Sequence, residues 1–350
     1  GAGAAGIFGA GTSEGWGTMY LNIDSGKLRD VVAFGRATID LYANEIGPME
    51  NAVTFHKYVG GSPANTAVAM SRLGLSVGYI GKVSDDQFGR FITRYLAKQG
   101  VDVSHIALAG PGIRSGVTMG EILPDRCSYL MYRTNCADLH IDCAQLDESY
   151  LASHKLLLIS GTSLSHSPAR EAVFHAISLA RRNHMAVAFD LDYREDTWDT
   201  VEEASLYLSL AAEKADLVLG TRDEFDVMEH LLHTGNQDDA KSAAWLLEKG
   251  VSVVSIKKGK KGSHVFTKEG KTVGGIYPAQ VLKTFGAGDS YSSAFLFGLL
   301  HNMELKDSLR YAAAASSITI SGHSCSDSMP TLEQVEDYIA HHEYVLPDTP

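Results

Sequence analysis

Short runs rich in β-branched residues alternate with stretches of helical periodicity from about residue 28 onward, and this rhythm constrains the fold more than any other feature. Such alternation is typical of a mainly parallel sheet with helices on both faces. We therefore predict a doubly wound α/β fold. The predicted strands are 31–35, 77–80, 156–160, 186–190, 217–219 and 251–256. The predicted helices are 64–73, 89–99, 168–183, 200–214, 239–249, 286–300 and 305–321.

Two stretches, 41–59 and 113–133, do not follow this rhythm. In the second stretch, the alternating residues at 116–119 indicate exposed antiparallel strands. We predict that both stretches form a small β-sheet lid over a ligand at the carboxyl ends of the main strands, where open α/β sheets bind ligands. A plain edge extension of the main sheet is the alternative. An exposed lid edge also predicts a homodimer formed through the lid sheet.

The composition argues against several classes of function. A net charge of −12 disfavours nucleic-acid binding, which needs clustered Lys and Arg side chains. Four cysteines without a CxxC pair favour reduced thiols over a disulfide framework or a zinc site. The chain lacks the apolar run of ~20 residues that a membrane-spanning helix needs, and it lacks signal-peptide features, so we expect a cytoplasmic protein with no membrane partner.

Residues 1–26 are rich in Gly, Ala, Ser and Thr, so we interpret them as a flexible leader before a single domain at 27–345. This leader matches the dinucleotide-binding pattern GxGxxG at residues 1–6. That pattern binds pyrophosphate only when a strand delivers the glycines to a helix N-terminus, and no predicted strand precedes it. A nicotinamide-dependent oxidoreductase is therefore disfavoured, and deletion of residues 1–26 is expected to be harmless.

The segment Gly286-Ala287-Gly288-Asp289 precedes an apolar run that predicts a buried helix. Glycines let the backbone approach an anion, and the amides of Gly286, Ala287 and Gly288 would point at that anion from the helix N-terminus. Asp289 then has two interpretations. It caps the helix, or it faces a reacting group as a general base.

Two more glycine-rich turns extend this pattern. Lys258, Gly259 and Gly262 follow a predicted strand and form a turn with a local positive field, although a solvated charge run is the alternative. Gly60 and Gly61 precede the helix that contains Asn65, where the backbone could approach a small polyol, although an ordinary loop–helix junction is the alternative. Walker-type and protein-kinase signatures are absent from the sequence, so any phosphate site is of another kind.

Together these segments resemble the ribokinase-like, or PfkB, family of carbohydrate kinases over about residues 30–340. The resemblance is carried by residues 35–40, by 60–65, by 81–89 and by 286–289. The segments 58–65, 220–224, 283–289 and 323–325 are most similar to the family members of inositol catabolism. Those kinases phosphorylate the C6 hydroxyl of 5-dehydro-2-deoxygluconate with ATP. Kinases of 2-dehydro-3-deoxygluconate or fructose are the nearest alternatives. A nonenzymatic sugar sensor is the alternative from another class.

The resemblance implies a role for each matching position. It makes Asp289 the base and the amides of residues 286–288 the anion hole. It places sugar-binding residues at Asp40, Gly60, Gly61 and Asn65, and nucleotide-binding residues at Lys258, Gly259, Gly262, Thr284 and Glu224. It implies Mg²⁺ as a cofactor, and a monovalent cation in some members. Because the Asn of the family's Asn-x-x-Glu motif is Gly220 here, Glu224 is expected to contact Mg²⁺ only indirectly, through water and ATP.

Three arginines are candidates for binding an anionic substrate. Arg36 and Arg133 could each hold a carboxylate in a bidentate manner, and Arg133 is the preferred candidate, with a surface lid arginine as the alternative. Arg194 ends a segment similar to the family's Asp-x-Asn-x-Arg, which places it near substrate or phosphate. Lys283, which replaces an Asp of the family pattern, would add a cation suited to an anionic substrate or phosphate.

Overall fold

The computed structural model describes residues 20–123, 126–281, 284–322 and 325–347. The strands are β1 (Arg29–Phe34), β2 (Thr38–Ala43), β3 (Phe55–Gly60), β4 (Val77–Val83), β5 (Asp102–Leu108), β6 (Val117–Ile122), β7 (Cys127–Tyr132), β8 (His154–Ser160), β9 (Ala186–Asp190), β10 (Leu217–Thr221), β11 (Val253–Lys257), β12 (Ser263–Thr267) and β13 (Gly270–Gly274). The helices are α1 (Ser62–Arg72), α2 (Gln87–Lys98), α3 (Glu148–Ala152), α4 (Ala169–Arg182), α5 (Val201–Ala212), α6 (Arg222–Met228), α7 (Asp239–Glu248), α8 (Ala287–Leu300), α9 (Leu305–Ile320) and α10 (Leu332–His341).

Within the described residues, nine strands form one large sheet in the order β13-β12-β11-β10-β9-β8-β1-β4-β5. The strands from β11 to β5 in this order pair in parallel, and β12 and β13 extend the sheet as antiparallel neighbours. The predicted doubly wound, mainly parallel α/β fold is therefore confirmed. Parallel pairing also brings the carboxyl ends of these strands to one edge, where such sheets bind ligands.

Both faces of the main sheet are buried, as the alternation within β1 shows. Val31 and Ala33 pack into one core cluster together with residues of α1, α8 and α9. Val32 and Phe34 point the other way and pack with residues of α4, α5 and α7. Apolar side chains on both faces of a strand are typical of a sheet covered by two helical layers. Within the described residues, no helix is long and apolar enough to cross a membrane.

A separate small sheet contains the strands β3-β2-β6-β7 in that order. These strands come from the two stretches that break the α/β rhythm, although β2 begins at Thr38, before the predicted boundary at 41. The outer pairs are antiparallel as predicted, but the central pair of β2 and β6 is parallel. The alternative of an edge extension is wrong, because the strands pair with one another and not with the main sheet.

The predicted leader overlaps the folded domain. Leu21 and Ile23 are buried at 1% and 2% exposure and belong to the core cluster that includes α8 and α9. The interpretation of residues 20–26 as flexible leader is therefore wrong, because their apolar side chains complete that core. Residues 1–19, with the GxGxxG pattern, lie outside the described residues.

Truncation of Leu21 should destabilise the protein. Replacing a buried leucine by alanine removes apolar contacts and leaves a cavity, so Leu21→Ala should lower the free energy of unfolding by about 2–5 kcal/mol. Urea denaturation followed by circular dichroism measures this change. The matched control is Leu28→Ala at a site that is 91% exposed, where the change should stay within about 0.5 kcal/mol. Equal effects of the two substitutions would contradict the packing of residues 20–26.

Candidate functional site

A cavity of about 560 Å³ lies where the carboxyl edge of the main sheet meets the small sheet. Its lining joins parts of the chain that are far apart in sequence. The first part of the chain contributes Arg36, Asp40, Tyr42, Gly61, Ser62, Asn65, Thr118, Cys127, Ser128, Tyr129 and Met131. The ends of β9, β10 and β11 and the segments after them contribute Asp190, Asp192, Arg194, Thr221, Glu224 and Lys257. The start of α8 and its surroundings contribute Thr284, Phe285, Gly286, Gly288, Asp289 and Cys325.

Asp289 stands in the first turn of α8 and is held by two side chains of α1. Its carboxylate accepts hydrogen bonds from Ser62 Oγ at 2.5 Å and from Asn65 Nδ2 at 3.0 Å. Helix α8 has no side-chain cap, so the interpretation of Asp289 as a capping residue is wrong. The structure thus brings two predicted motifs together, and it adds Ser62, which the sequence interpretation missed.

Gly286 shapes the approach to this carboxylate. It precedes α8 with a φ of 83°, a left-handed conformation that favours glycine, and a Cβ atom there would lie 3.2 Å from Cys325 Cβ. Gly286 and Gly288 both line the cavity, while Ala287 begins the helix between them. Backbone N–H groups in the first turn of a helix lack intrahelical partners. The amides of Gly286 and Gly288 are therefore suited to an anion, whereas Ala287 N donates to Thr284 O at 3.4 Å.

The surroundings of Asp289 raise the pKa of its carboxyl group. Burial and the neighbouring negative charge of Asp192 raise the pKa of Asp289 to about 6, although the hydrogen bonds from Ser62 and Asn65 oppose the shift. A carboxyl group with a pKa near 6 is ionised for the most part at neutral pH, yet it is a stronger base than an ordinary aspartate. Its position and basicity both suit proton abstraction.

Asp40 supplies a second buried carboxylate on β2. It accepts hydrogen bonds from Thr38 Oγ1 at 3.1 Å and from the hydroxyl of Tyr42 at 2.9 Å. Gly60 does not line the cavity, but a Cβ atom on it would lie 2.0 Å from Asp40 Oδ1, so the glycine makes room for this carboxylate. Gly61 lines the cavity with a φ of 93°, and its Cβ would approach Arg36 O within 2.7 Å. Of the four residues predicted to bind sugar, Asp40, Gly61 and Asn65 line the cavity and Gly60 does not.

Asp192 links two of the predicted arginines. Its Oδ2 lies 3.2 Å from Arg36 and its Oδ1 lies 3.0 Å from Arg194. These two cations hold the pKa of Asp192 below its ordinary value despite its burial. The side chain of Arg36 is only 4% exposed, whereas that of Arg194 is 34% exposed. Both arginines line the cavity, and Arg194 is the more exposed of the two.

Arg133 lies outside the cavity lining. It is buried, it forms an ion pair with Asp138, and it donates a hydrogen bond to the carbonyl oxygen of Thr162 at 3.2 Å. The Oγ1 of Thr162 in turn accepts a hydrogen bond from Arg36 Nε at 3.2 Å. The alternative of a surface lid arginine is wrong because the side chain is buried. The structure places Arg133 behind Arg36 and Thr162, where it supports the cavity wall.

Among the described residues, Lys257 is the lysine that lines the cavity, and it is not one of the predicted nucleotide-binding residues. Side chains alternate along a strand, and on β11 the hydroxyl of Ser255 contacts Tyr291 of α8 at 3.1 Å. Lys257 follows by two residues on the same face, and its Nζ would lie 3.2 Å from a Cβ on Gly288. Lys258 instead pairs with Asp239 of α7 at 2.8 Å. The alternation of strand side chains would have identified Lys257 had the end of β11 been known.

Gly259 and Gly262 do not line the cavity either. They lie in the turn between β11 and β12, and a Cβ atom on Gly262 would collide with Gly274 O at 2.0 Å. This close approach explains why position 262 is a glycine, and no bound ligand is needed for the explanation. Of the predicted nucleotide-binding residues, Thr284 and Glu224 line the cavity, and Lys258, Gly259 and Gly262 do not. Lys283 lies outside the described residues.

Glu224 combines a structural position with a place in the cavity. Thr221 N donates to its Oε2 at 2.8 Å in a capping box at the start of α6, and Tyr193 N donates to its Oε1 at 3.1 Å. Burial raises its pKa, with Lys257 opposing and Asp190 adding to the shift. In the described part of the chain, no group of three or more His, Cys, Asp or Glu side chains is placed to hold a metal ion. The carboxylates of Glu224 and Asp190 fit a hydrated metal ion held mainly by its ligand's phosphates.

One cavity thus combines a buried carboxylate with a raised pKa, a helix N-terminus, a buried lysine and further polar side chains, a set suited to phosphoryl transfer. Residues 28–332 match the pattern of the pfkB family carbohydrate kinases. The chain belongs to this family, and the predicted resemblance is confirmed.

Known relatives and structures agree with this assignment. The chain is 51% identical to 5-dehydro-2-deoxygluconokinase of Geobacillus kaustophilus over 92% of its own length and 97% of that protein. A putative ribokinase II from E. coli in complex with ATP and Mg²⁺ superposes with a TM-score of 0.82 at 24% identity, covering 90% of this chain and all of that one. A fructokinase double mutant from Vibrio cholerae, bound to fructose, ADP and potassium, superposes with a TM-score of 0.79 at 22% identity, covering 90% and 100%. At these identities, the two structures support the fold alone.

The raised pKa of Asp289 predicts the pH dependence of turnover. A base must be ionised to accept a proton, so kcat/KM should fall as pH drops through about 6. Replacing Asp192 by asparagine removes a nearby negative charge, so Asp192→Asn should lower the pKa of Asp289 and move this acid limb to lower pH. The measurement is kcat/KM between pH 4.5 and 8, tested in buffers of about 0.1 M ionic strength.

The matched control for this profile is Asp337→Asn, which removes a carboxylate that is 72% exposed on α10. It should leave the acid limb in place. An acid limb that stays at the same pH in Asp192→Asn would contradict the electrostatic account of Asp289.

Proposed function

We propose that this chain transfers the γ-phosphoryl group of ATP to the C6 hydroxyl of 5-dehydro-2-deoxygluconate, with Asp289 as the general base. The observation that carries the proposal is the Asp289 carboxylate, which faces the cavity beside the cradle of residues 286–288 and is held by Ser62 and Asn65. The choice of sugar acid is supported by the 51% identity to the Geobacillus kinase of that name along nearly the whole chain.

The reaction needs little covalent chemistry from the protein. The Asp289 carboxylate accepts the proton of the C6 hydroxyl, whose oxygen forms a bond to the γ-phosphorus as the bond to the β–γ bridging oxygen breaks and ADP leaves. Phosphoryl transfer depends mainly on positioning and on neutralising charge. The amides of Gly286 and Gly288 and the ammonium group of Lys257 face the place where that charge develops. Glu224 would help to hold Mg²⁺ through water, and the ion would supply further positive charge.

Lys257 is kept charged by its neighbours. Its burial opposes the charge, but Asp190 and Glu224 more than compensate and raise the pKa of Lys257 above its ordinary value. Its Nζ lies 4.0 Å from Asp190 Oδ2, too long for a tight ion pair. The ammonium group therefore keeps donors for a phosphoryl oxygen over Gly288, and we assign it to the transferring group.

The substrate carboxylate is assigned to Arg194. Its guanidinium is the more exposed of the two paired with Asp192, and a planar guanidinium matches a carboxylate in a bidentate manner. Arg36 supports it from the same aspartate, and Arg133 supports Arg36 through Thr162. Asp40 and Asn65 remain the proposed partners of the sugar hydroxyls. The monovalent cation, the cytoplasmic location, the closing of the small sheet as a lid and the homodimer stay predictions.

A kinetic panel tests the reaction and the substrate together. With Mg-ATP, kcat/KM for 5-dehydro-2-deoxygluconate should exceed that for 2-dehydro-3-deoxygluconate and for fructose by about tenfold or more. Asp289→Asn should lower kcat by about 10²–10⁴-fold, because the amide cannot accept the proton. ADP release in a coupled assay measures both.

The outcomes of this panel separate the alternatives. Near-normal kcat in a folded Asp289→Asn protein would overturn the general base. Preference for fructose would overturn the sugar-acid assignment while keeping the kinase. Failure to release ADP with any sugar would favour the nonenzymatic sensor.

Lys257 gives a separate prediction. Lys257→Met should lower kcat by about 100-fold with little change in the KM for the sugar, because the lost interaction stabilises charge in the transition state. Lys257→Arg, which keeps the charge, should recover part of the loss. The control is Lys155→Met, which removes a lysine paired with Asp30 at 2.8 Å. A kcat within twofold of wild type in Lys257→Met would contradict the assignment.

A further inference from the structure

A groove of about 450 Å³ lies away from the catalytic cavity, between α2 and strand β3 of the small sheet. Two rows of α2 side chains line it, each row with the spacing i, i+4, i+8. One row consists of Arg90, Arg94 and Lys98, and the other consists of Gln87, Phe91 and Tyr95. Lys57 of β3 completes the lining, and we name this surface the basic groove.

The opposite face of α2 anchors the helix. Gly89, Ile92 and Leu96 are buried, and a Cβ atom on Gly89 would collide with Ser84 O at 1.8 Å, which holds the helix close to the chain before it. The side chain of Asp86 caps the helix by accepting from the backbone N–H groups of Phe88 and Gly89. The basic row is therefore displayed from a fixed helix, and not from a loose segment.

None of the four cations of the basic groove is neutralised. In the part of the chain that the structure describes, Lys57, Arg90, Arg94 and Lys98 make no ion pair, although the whole chain carries a net charge of −12. Lys57 Nζ instead lies 4.0 Å from the centroid of the Phe91 ring. In the other row, the Tyr95 hydroxyl donates a hydrogen bond to Asp327 Oδ1 at 2.5 Å.

This arrangement carries an energetic penalty in the absence of a ligand. Like charges at i, i+4 on a helix repel each other and destabilise the helix, and the basic row contains two such pairs. A surface helix of an acidic protein would relieve this repulsion with a glutamate or aspartate, as Asp226 does for Arg222 at i, i+4 on α6. An anion seated among the four cations would relieve it equally well.

We propose that the basic groove binds a small polyphosphate anion, a molecule with two or more linked phosphate groups. Four cations on a rigid helix and a neighbouring strand match several phosphate oxygens at once, because guanidinium groups hold phosphate in a bidentate manner. The volume of the groove suits a small molecule. Since Lys57 belongs to β3 and the other cations belong to α2, the anion bridges the small sheet and the main body.

The probe is inorganic tripolyphosphate, titrated calorimetrically into the full chain at fixed ionic strength. Arg90→Gln/Arg94→Gln should bind one equivalent fewer than the wild type. If the proposed kinase site binds phosphates, the catalytic cavity takes up a second equivalent of tripolyphosphate in both proteins. If the proposed function is wrong, wild type and variant each bind one equivalent fewer, and the difference between them is unchanged. Lys57→Gln should still bind this equivalent of tripolyphosphate, but with an affinity about tenfold lower, since one charge-assisted contact is lost.

The matched control is Arg181→Gln/Arg182→Gln, which removes two surface charges of α4 that pair with Asp216 and Glu148. It should bind as many equivalents as the wild type. Equal counts and affinities in wild type and Arg90→Gln/Arg94→Gln would overturn the proposal. A loss in the Arg181/Arg182 control as large as in the groove variant would also overturn it, because the effect would then reflect net charge alone.

Discussion

The contact between Asp289 and the first turn of α1 is the interaction on which the site depends. Ser62 and Asn65 belong to the first fifth of the chain and Asp289 to the last, and their hydrogen bonds join two helices that also pack against each other in the core. The same contact gives the carboxylate a fixed direction while burial and Asp192 raise its pKa. The position of the carboxylate therefore comes from this contact, whereas its raised basicity comes from burial and Asp192 against the effect of the two hydrogen bonds.

Around that contact, the cavity concentrates charge that would be costly if unpaired. Buried carboxylates and cations are tolerated in protein interiors when they neutralise each other. Asp192 pairs with both Arg36 and Arg194, which leaves one net positive charge in this group, and the charge of Lys257 is stabilised by Asp190 and Glu224. The departure from the family pattern at Gly220 has a steric reason as well, because a Cβ atom there would lie 2.6 Å from Leu191 Cδ1. An asparagine at this position would need Leu191 to move.

The sequence predicted the fold and the core of the site well, because both depend on local patterns. Hydrophobic periodicity located the central strands of the main sheet, and the glycine pattern located Asp289. The sequence alone could not show whether Lys257 or Lys258 lines the cavity, since that depends on the residue at which β11 ends. The sequence interpretation also placed Arg133 in the site. It could not show that this side chain is buried and paired with Asp138, because both properties depend on how the folded chain packs. Leu21 and Ile23 were missed since an isolated pair of apolar residues has no period.

The short connection between β1 and β2 has a geometric consequence. Only residues 35–37 separate the end of β1 at Phe34 from the start of β2 at Thr38, and this tether of four residue steps spans at most about 14 Å. Asp40 follows two residues later, near the anchored end of its strand. Any swing of the small sheet would therefore move its far end through a wide arc and Asp40 through a narrow one. The Asp40 carboxylate lies near the pivot of any such swing, so its distance from the main sheet would change little.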